Sequence, residues 1–175
     1  MAKLFIEYLA MQMNSSKIKA CLELALKAAA AASRELLSHV DDQNESLVIR
    51  AKRDGSLVSS VDLESHQIIE GILSEVEIPI ISEEGKLPSY SERKDWDLFW
   101  LVDPLDGTES YLKSRSGFAV NIALCDQSGP FLGVIADPLA GIIYGGAKGI
   151  DPFTCPIEST THRTAIQQQP ACSPY

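Results

Sequence analysis

Between Leu98 and Ala147 the sequence carries four apolar runs of strand length, LFWLV, GFAVNIAL, PFLGVIA and GIIYGGA. The last three are joined by CDQSG and DPLA, both made of turn-forming residues. Strand runs this close in sequence pair with their neighbours, so an antiparallel meander is expected. Upstream, Ile18, Leu22, Ala25, Ala29, Leu36 and Val40 recur mostly at three- and four-residue steps around an alanine-rich centre. That spacing predicts an amphipathic helix from Ser15 or Ser16 to about Val40. The expected class is α+β, helices layered on an antiparallel sheet.

The remaining segments are shorter. After the polar linker DDQNES, LVIRAKRDGS reads as a strand running into an Asp-Gly turn. A second helix is expected in SSVDLESHQIIEGILSEV, capped by Ser59 or Ser60, with Asp62 in its first turn and Pro79 as its stop. IPIISEEG is a β-branched run ending in two glutamates and a glycine, and LFWLV reads as a buried strand ending at Asp103. Residues 1–14 read as an N-terminal extension and 15–149 as one domain. From Ile150 the chain holds four prolines and many Ser, Thr and Gln without periodicity, so 150–175 are expected to be an irregular, poorly ordered tail.

The chain has 175 residues, 45% of them hydrophobic, enough for one core. With 24 acidic against 15 basic side chains its formal charge is −9. That balance argues against nucleic acid as a partner, which needs a basic surface. It suits carboxylates gathered for cations. Cys21, Cys125, Cys155 and Cys172 show no Cys-x-x-Cys spacing and read as idle thiols in a reducing cytoplasm. No run reaches the roughly 18 apolar residues of a membrane span. The expected location is cytoplasmic, with peripheral association at the inner membrane as the alternative. His39, His66 and His162 stand apart in sequence and read as incidental.

Four carboxylates fall where an expected element begins or ends. Asp62 opens a helix, Glu83 closes a strand, Asp103 closes another, and Asp106 follows three residues on. A strand delivers its last side chain to the rim of a sheet, so Glu83 and Asp103 converge if their strands are neighbours. Hard oxygen ligands of this kind suit Mg²⁺, usually completed by substrate phosphate. Gly107 permits close backbone approach, and the amides of Gly107 and Thr108 would open a helix over TESYLKS, a ready site for a phosphate oxygen. Asp-Gly pairs also make ordinary turns, and acids at helix starts are ordinary caps. The full run Asp103 to Thr108, however, is hard to account for as a plain turn. Phosphatases of the haloacid-dehalogenase type also carry Asp-Gly-Thr after an apolar strand, with a nucleophilic aspartate two residues before that Asp. Here Pro104 stands there, which points away from an aspartyl-phosphate and towards metal-activated water.

The run Asp103-Pro104-Leu105-Asp106-Gly107-Thr108 resembles the hallmark of the lithium-sensitive, Mg²⁺-dependent phosphomonoesterases that include the inositol monophosphatases. With KRDGSLVSSVD, PIISEEGK, FAVNIAL and LGVIADPLAGIIYGGAKG, the chain is most similar to CysQ-type 3'(2'),5'-bisphosphate nucleotidases from about Ser15 to Gly149. The resemblance implies the N-terminal half of the sugar-phosphatase fold. It implies metal ligation by Asp62, Glu83, Asp103, Asp106 and the Leu105 carbonyl. Gly107 and Thr108 would contact phosphate, Lys52 would lie near the substrate, and Glu83 with Thr108 would position the attacking water. It also implies a second αβ layer with a further metal-binding aspartate in a Trp-Asp context. The only Trp-Asp here, Trp96-Asp97, lies before the strand, so the chain reads as a truncated or frameshifted product.

The implied activity is Mg²⁺-dependent removal of the 3'-phosphate from adenosine 3',5'-bisphosphate, a small nucleotide bisphosphate tied to sulfur metabolism. Two alternatives stay open: an inositol-phosphate phosphatase, and a non-catalytic remnant that binds metal.

Overall fold

The computed structural model describes residues 13–41, 49–51 and 57–166. The order is α1 (Ser15–Asp41), β1 (Ile49–Ala51), β2 (Leu57–Ser59), α2 (Ser60–Leu73), β3 (Ile80–Ser82), α3 (Tyr90–Arg93), β4 (Leu98–Asp106), α4 (Thr108–Ser114), β5 (Ala119–Asp126), β6 (Gly129–Asp137), β7 (Ile142–Ala147), β8 (Ile150–Pro156) and β9 (Thr164–Ala165). Strands β3 to β9 form one sheet in sequence order, and β1 and β2 pair as a separate ribbon. The expected meander is β5–β6–β7, antiparallel throughout. The pair β3–β4 is parallel, with Ser82 opposite Val102.

Alternation decides which face is buried. Val120, Ile122 and Leu124 of β5, Leu132, Val134 and Ala136 of β6, and Ile143 of β7 all turn inward. The long helix α1 lies across β5, β6 and β7, and α2 packs against α1 and β4. Leu22, Leu26 and Leu36 of α1 are fully buried there, each contributing about 1.5–3 kcal/mol by leaving water. Trp100 is fully buried as expected for the strand core. The described helices cover one face. On the other, Leu101, Ile135 and Tyr144 remain exposed.

The expected irregular tail is corrected over 150–166. β8 pairs with β7, and Phe153, Cys155 and Ile157 are buried at two-residue spacing. The prolines misled because one falls at an irregularity. Between Ala147↔Ile150 and Gly145↔Phe153 β8 gains one residue on β7, and Pro152 lies in that bulge, where a missing N–H is tolerated. Arg34 Nη1 donates to the Ile157 carbonyl at 3.3 Å, and Arg163 pairs with Glu23 while stacking 4.5 Å over Phe153. Residues 167–175, including Cys172, lie outside the described residues, as does nearly all of the 1–14 extension. Cys21, Cys125 and Cys155 are buried free thiols, and burial pushes each thiol pKa up.

Candidate metal and phosphate site

Strand β4 does not end at Asp103 as the sequence reading expects; it runs on to Asp106. From Asp103 to Asp106 it advances three residues, while its partner β5 spans only two, Asn121 to Ala119. An odd step along a regular strand would put the two aspartates on opposite faces. The extra residue undoes that: Pro104 and Leu105 are both buried, and Asp106 is exposed. The bulge thus brings Asp103 and Asp106 to the same side of the sheet.

Glu83 arrives from the neighbouring strand. Because β3 runs parallel to β4, both chains reach the same rim, and the Glu83 amide donates to the Val102 carbonyl at 3.0 Å. Glu83 therefore follows Ser82 to the rim as Asp103 follows Val102. Asp103 is half-buried, and its carboxyl is pushed up to about 7, first by burial and then by the charges of Glu83, Asp106 and Glu84, against one lowering bond from the Leu105 amide. That amide donates to Asp103 Oδ1 at 3.2 Å, and Asn121 Nδ2 donates to Asp106 Oδ2 at 3.2 Å. Along the open face a groove of about 600 Å³ runs from these groups over Ile81, Leu101 and Ile135.

Gly107 closes the motif. It caps α4 in the left-handed region, φ +89°, and a Cβ there would stand 2.5 Å from the Gly117 carbonyl oxygen. Only glycine meets both conditions. Helix α4 then opens at Thr108, as the sequence predicts.

Asp62 is placed differently from the other candidate ligands. It is fully buried at the third position of α2, where Oδ2 accepts from the Ser59 amide at 2.8 Å and from the Ser59 hydroxyl. Its Oδ1 accepts from Thr108 Oγ1 at 2.8 Å. The capping donors and Thr108 thus each meet an Asp62 oxygen, and Asp62 stands behind Thr108. Thr108 Oγ1 also lies 3.2 Å from the Leu105 carbonyl. Lys52 lies outside the described residues.

Three polar contacts were not anticipated. Besides Asn121, Ser65 Oγ donates to the Pro104 carbonyl at 2.7 Å, and His66 Nδ1 meets Ser82 Oγ at 2.9 Å. The helical spacing of Asp62, Ser65 and His66 was the available signal.

Among the described residues, one set of three potential metal-binding side chains closes to within 4.8 Å: Glu35, His39 and Glu64. It lies where α1 meets α2. Both carboxylates approach the same nitrogen, His39 Nε2, at 3.3 and 2.9 Å.

Sequence comparison matches residues 17–171 to the inositol monophosphatase family. The chain belongs to that family. Among curated relatives, the CysQ 3'(2'),5'-bisphosphate nucleotidases of Shigella flexneri and Escherichia coli K12 are 37% and 36% identical over 117 residues, covering 66% of this chain and 47% of theirs. Among solved structures, CysQ of Bacteroides thetaiotaomicron superposes with a TM-score of 0.67 at 35% identity, over 77% of this chain and 48% of that one. The suhB protein of Bartonella henselae gives 0.69 at 28% identity, over 86% and 55%. The chain spans about half the length of the curated relatives it matches. The inositol monophosphatase-family match extends past Gly149 into β8 and β9. Among the described residues no helix is long and apolar enough to cross a membrane.

Proposed function

We propose that the chain carries the metal- and phosphate-binding part of a Mg²⁺-dependent phosphomonoesterase acting on the 3'-phosphate of adenosine 3',5'-bisphosphate. The observation that carries this reading is the β4 bulge, which sets Asp103 and Asp106 on one face beside Glu83. The donor set fits the ion: all are hard oxygens, and the raised Asp103 pKa reflects burial beside the carboxylates of Glu83, Asp106 and Glu84. Glu83, Asp103, Asp106 and the Leu105 carbonyl would hold Mg²⁺. When bound, it would polarise the phosphoryl group, assist the attacking water and offset charge on the leaving oxygen.

The chain's own groups supply the rest. Thr108 has one hydroxyl proton, and the buried Asp62 carboxylate is a stronger acceptor for it than the neutral, more distant Leu105 carbonyl. With that proton committed, the Thr108 lone pairs are left to accept from a water, and Glu83 offers a second acceptor. Such a pair orients the water for in-line attack. The amides of Gly107 and Thr108 would receive phosphate oxygens. The nucleotide substrate rests on the CysQ nucleotidases among the relatives.

The test is phosphate release from adenosine 3',5'-bisphosphate and from inositol 1-phosphate, with Asp106→Asn as control. The reading expects at least roughly tenfold preference for the nucleotide and loss of both activities in the variant. Preference for inositol phosphate would transfer the assignment to that substrate. Equal rates for variant and parent would remove the site.

A further inference from the structure

We propose that His66 is a positioning residue for this metal site, acting through Ser82 on the turn that carries Glu83; the inference rests on the metal reading above. Strand β3 has only three residues and hydrogen-bonds to β4 on one side, an edge among the described strands. Three rungs of ladder are a weak hold on a carboxylate whose location matters. Ser82, 7% exposed, is the last of those residues and immediately precedes Glu83. Its hydroxyl meets His66 Nδ1 at 2.9 Å. That bond ties the end of β3 to a helix, one residue before the last bond to β4, from the Glu83 amide to the Val102 carbonyl.

The histidine also fills the inside of the turn. The Gly85 amide donates to the Ser82 carbonyl at 3.1 Å, closing the turn around Glu83 and Glu84. A Cβ at Gly85 would lie 3.4 Å from both His66 Cε1 and Ser82 Cβ, so the ring packs directly beneath. On its far side His66 Nε2 is 3.7 Å from Glu70 Oε2, which orients the ring along the helix.

The same helix holds the other two parts of the site. Asp62, Ser65 and His66 occupy positions i, i+3 and i+4 of α2, hence one face. Asp62 accepts from Thr108 at the start of α4, Ser65 donates to Pro104 inside the bulge, and His66 holds Ser82 at the end of β3. Three segments far apart in sequence are therefore referenced to two turns of one helix. For the first two, strand pairing or a helix start already fixes the backbone. For Glu83 the histidine adds to the bond from its amide to the Val102 carbonyl.

The test is calorimetric titration of the 175-residue chain with Mg²⁺, comparing the parent with His66→Leu, His66→Asn, Ser82→Ala, the His66→Leu/Ser82→Ala double variant and Asp103→Asn. His66→Leu and Ser82→Ala should each weaken Mg²⁺ by about tenfold, and the double variant by no more than either alone, because they break one contact. His66→Asn, which keeps a polar nitrogen or oxygen near the Nδ1 position, should recover most of the affinity; a general loss of packing would not be rescued. Should His66→Leu fail to fold, Ser82→Ala, which removes one oxygen atom, carries the measurement. Parent-like affinity in these variants, or losses that multiply in the double variant, would overturn the role of His66 while Asp103→Asn still abolishes binding. No binding by the parent, or equal binding by Asp103→Asn, would overturn the metal reading and this inference with it.

Discussion

Asp103 is the residue where the chemistry of the site meets the stability of the chain. Its carboxyl is raised to about 7 by burial and by Glu83, Asp106 and Glu84, against about 3.9 in an unfolded chain. The folded state therefore holds its proton more tightly than the unfolded state does. Below about pH 4 both are protonated and nothing is lost; between pH 4 and 7 the metal-free fold loses stability as pH rises, and above 7 the penalty is constant. Thermal unfolding in chelator should show this decline, and Asp103→Asn should flatten it. A divalent ion reverses the preference by displacing the proton. Mg²⁺ affinity should climb by up to about tenfold per pH unit below 7 and level off above it; calorimetry at pH 5, 6, 7 and 8 checks this, and a flat profile contradicts it. Gly107 makes the second residue-scale prediction. With φ at +89° and a Cβ position 2.5 Å from a backbone oxygen, Gly107→Ala should cost about 1–3 kcal/mol. Denaturant unfolding would show it, and a change below a few tenths would mean that the loop yields freely.

At the scale of elements, β8 shows what a composition-based reading misses. Phe153 is 4% exposed and sits beneath Arg163, so Phe153→Ala should destabilise the chain by about 3–5 kcal/mol. A loose tail would give almost no change, and a urea midpoint separates the two. Helix α1 and strands β5 to β7 were legible because their periods, 3.6 and 2, are local properties of the sequence. Pro152 disguised β8 because its tolerance depends on a bulge, and a bulge exists only relative to a partner strand. The same holds in the site. The motif Asp103 to Thr108 and the carboxylate Glu83 could be read as a candidate cation-and-phosphate constellation from residue type. That β4 continues through it, and that its extra residue turns Asp106 back to the side of Asp103, depends on the register with β5. The parallel β3–β4 pairing is equally non-local. The contact of Asp62 with Thr108 was not legible, since a helix-capping aspartate looks the same in sequence whatever its other oxygen faces. His66 was passed over because its partner Ser82 lies in another element.

For the molecule as a whole, a seven-stranded sheet carries helices on one face and leaves the groove beside Asp103 open on the other. The carboxylates stand at the edge of that open face, reached from β3 and β4 together, and α2 references them from behind. Among the described residues two places gather groups able to bind a divalent ion: this rim, and the Glu35–His39–Glu64 cluster between α1 and α2. They make opposite demands. The rim offers only oxygen donors, whereas the second place has two carboxylates already drawn onto one histidine nitrogen. Anomalous scattering from crystals of the chain soaked in Mn²⁺, a stand-in for Mg²⁺, distinguishes them directly. The account predicts a peak about 2.0–2.2 Å from carboxylate oxygens of Asp103 and Glu83 and from the Leu105 carbonyl oxygen. A rim without density, with the ion found at Glu35, His39 and Glu64 instead, would contradict it.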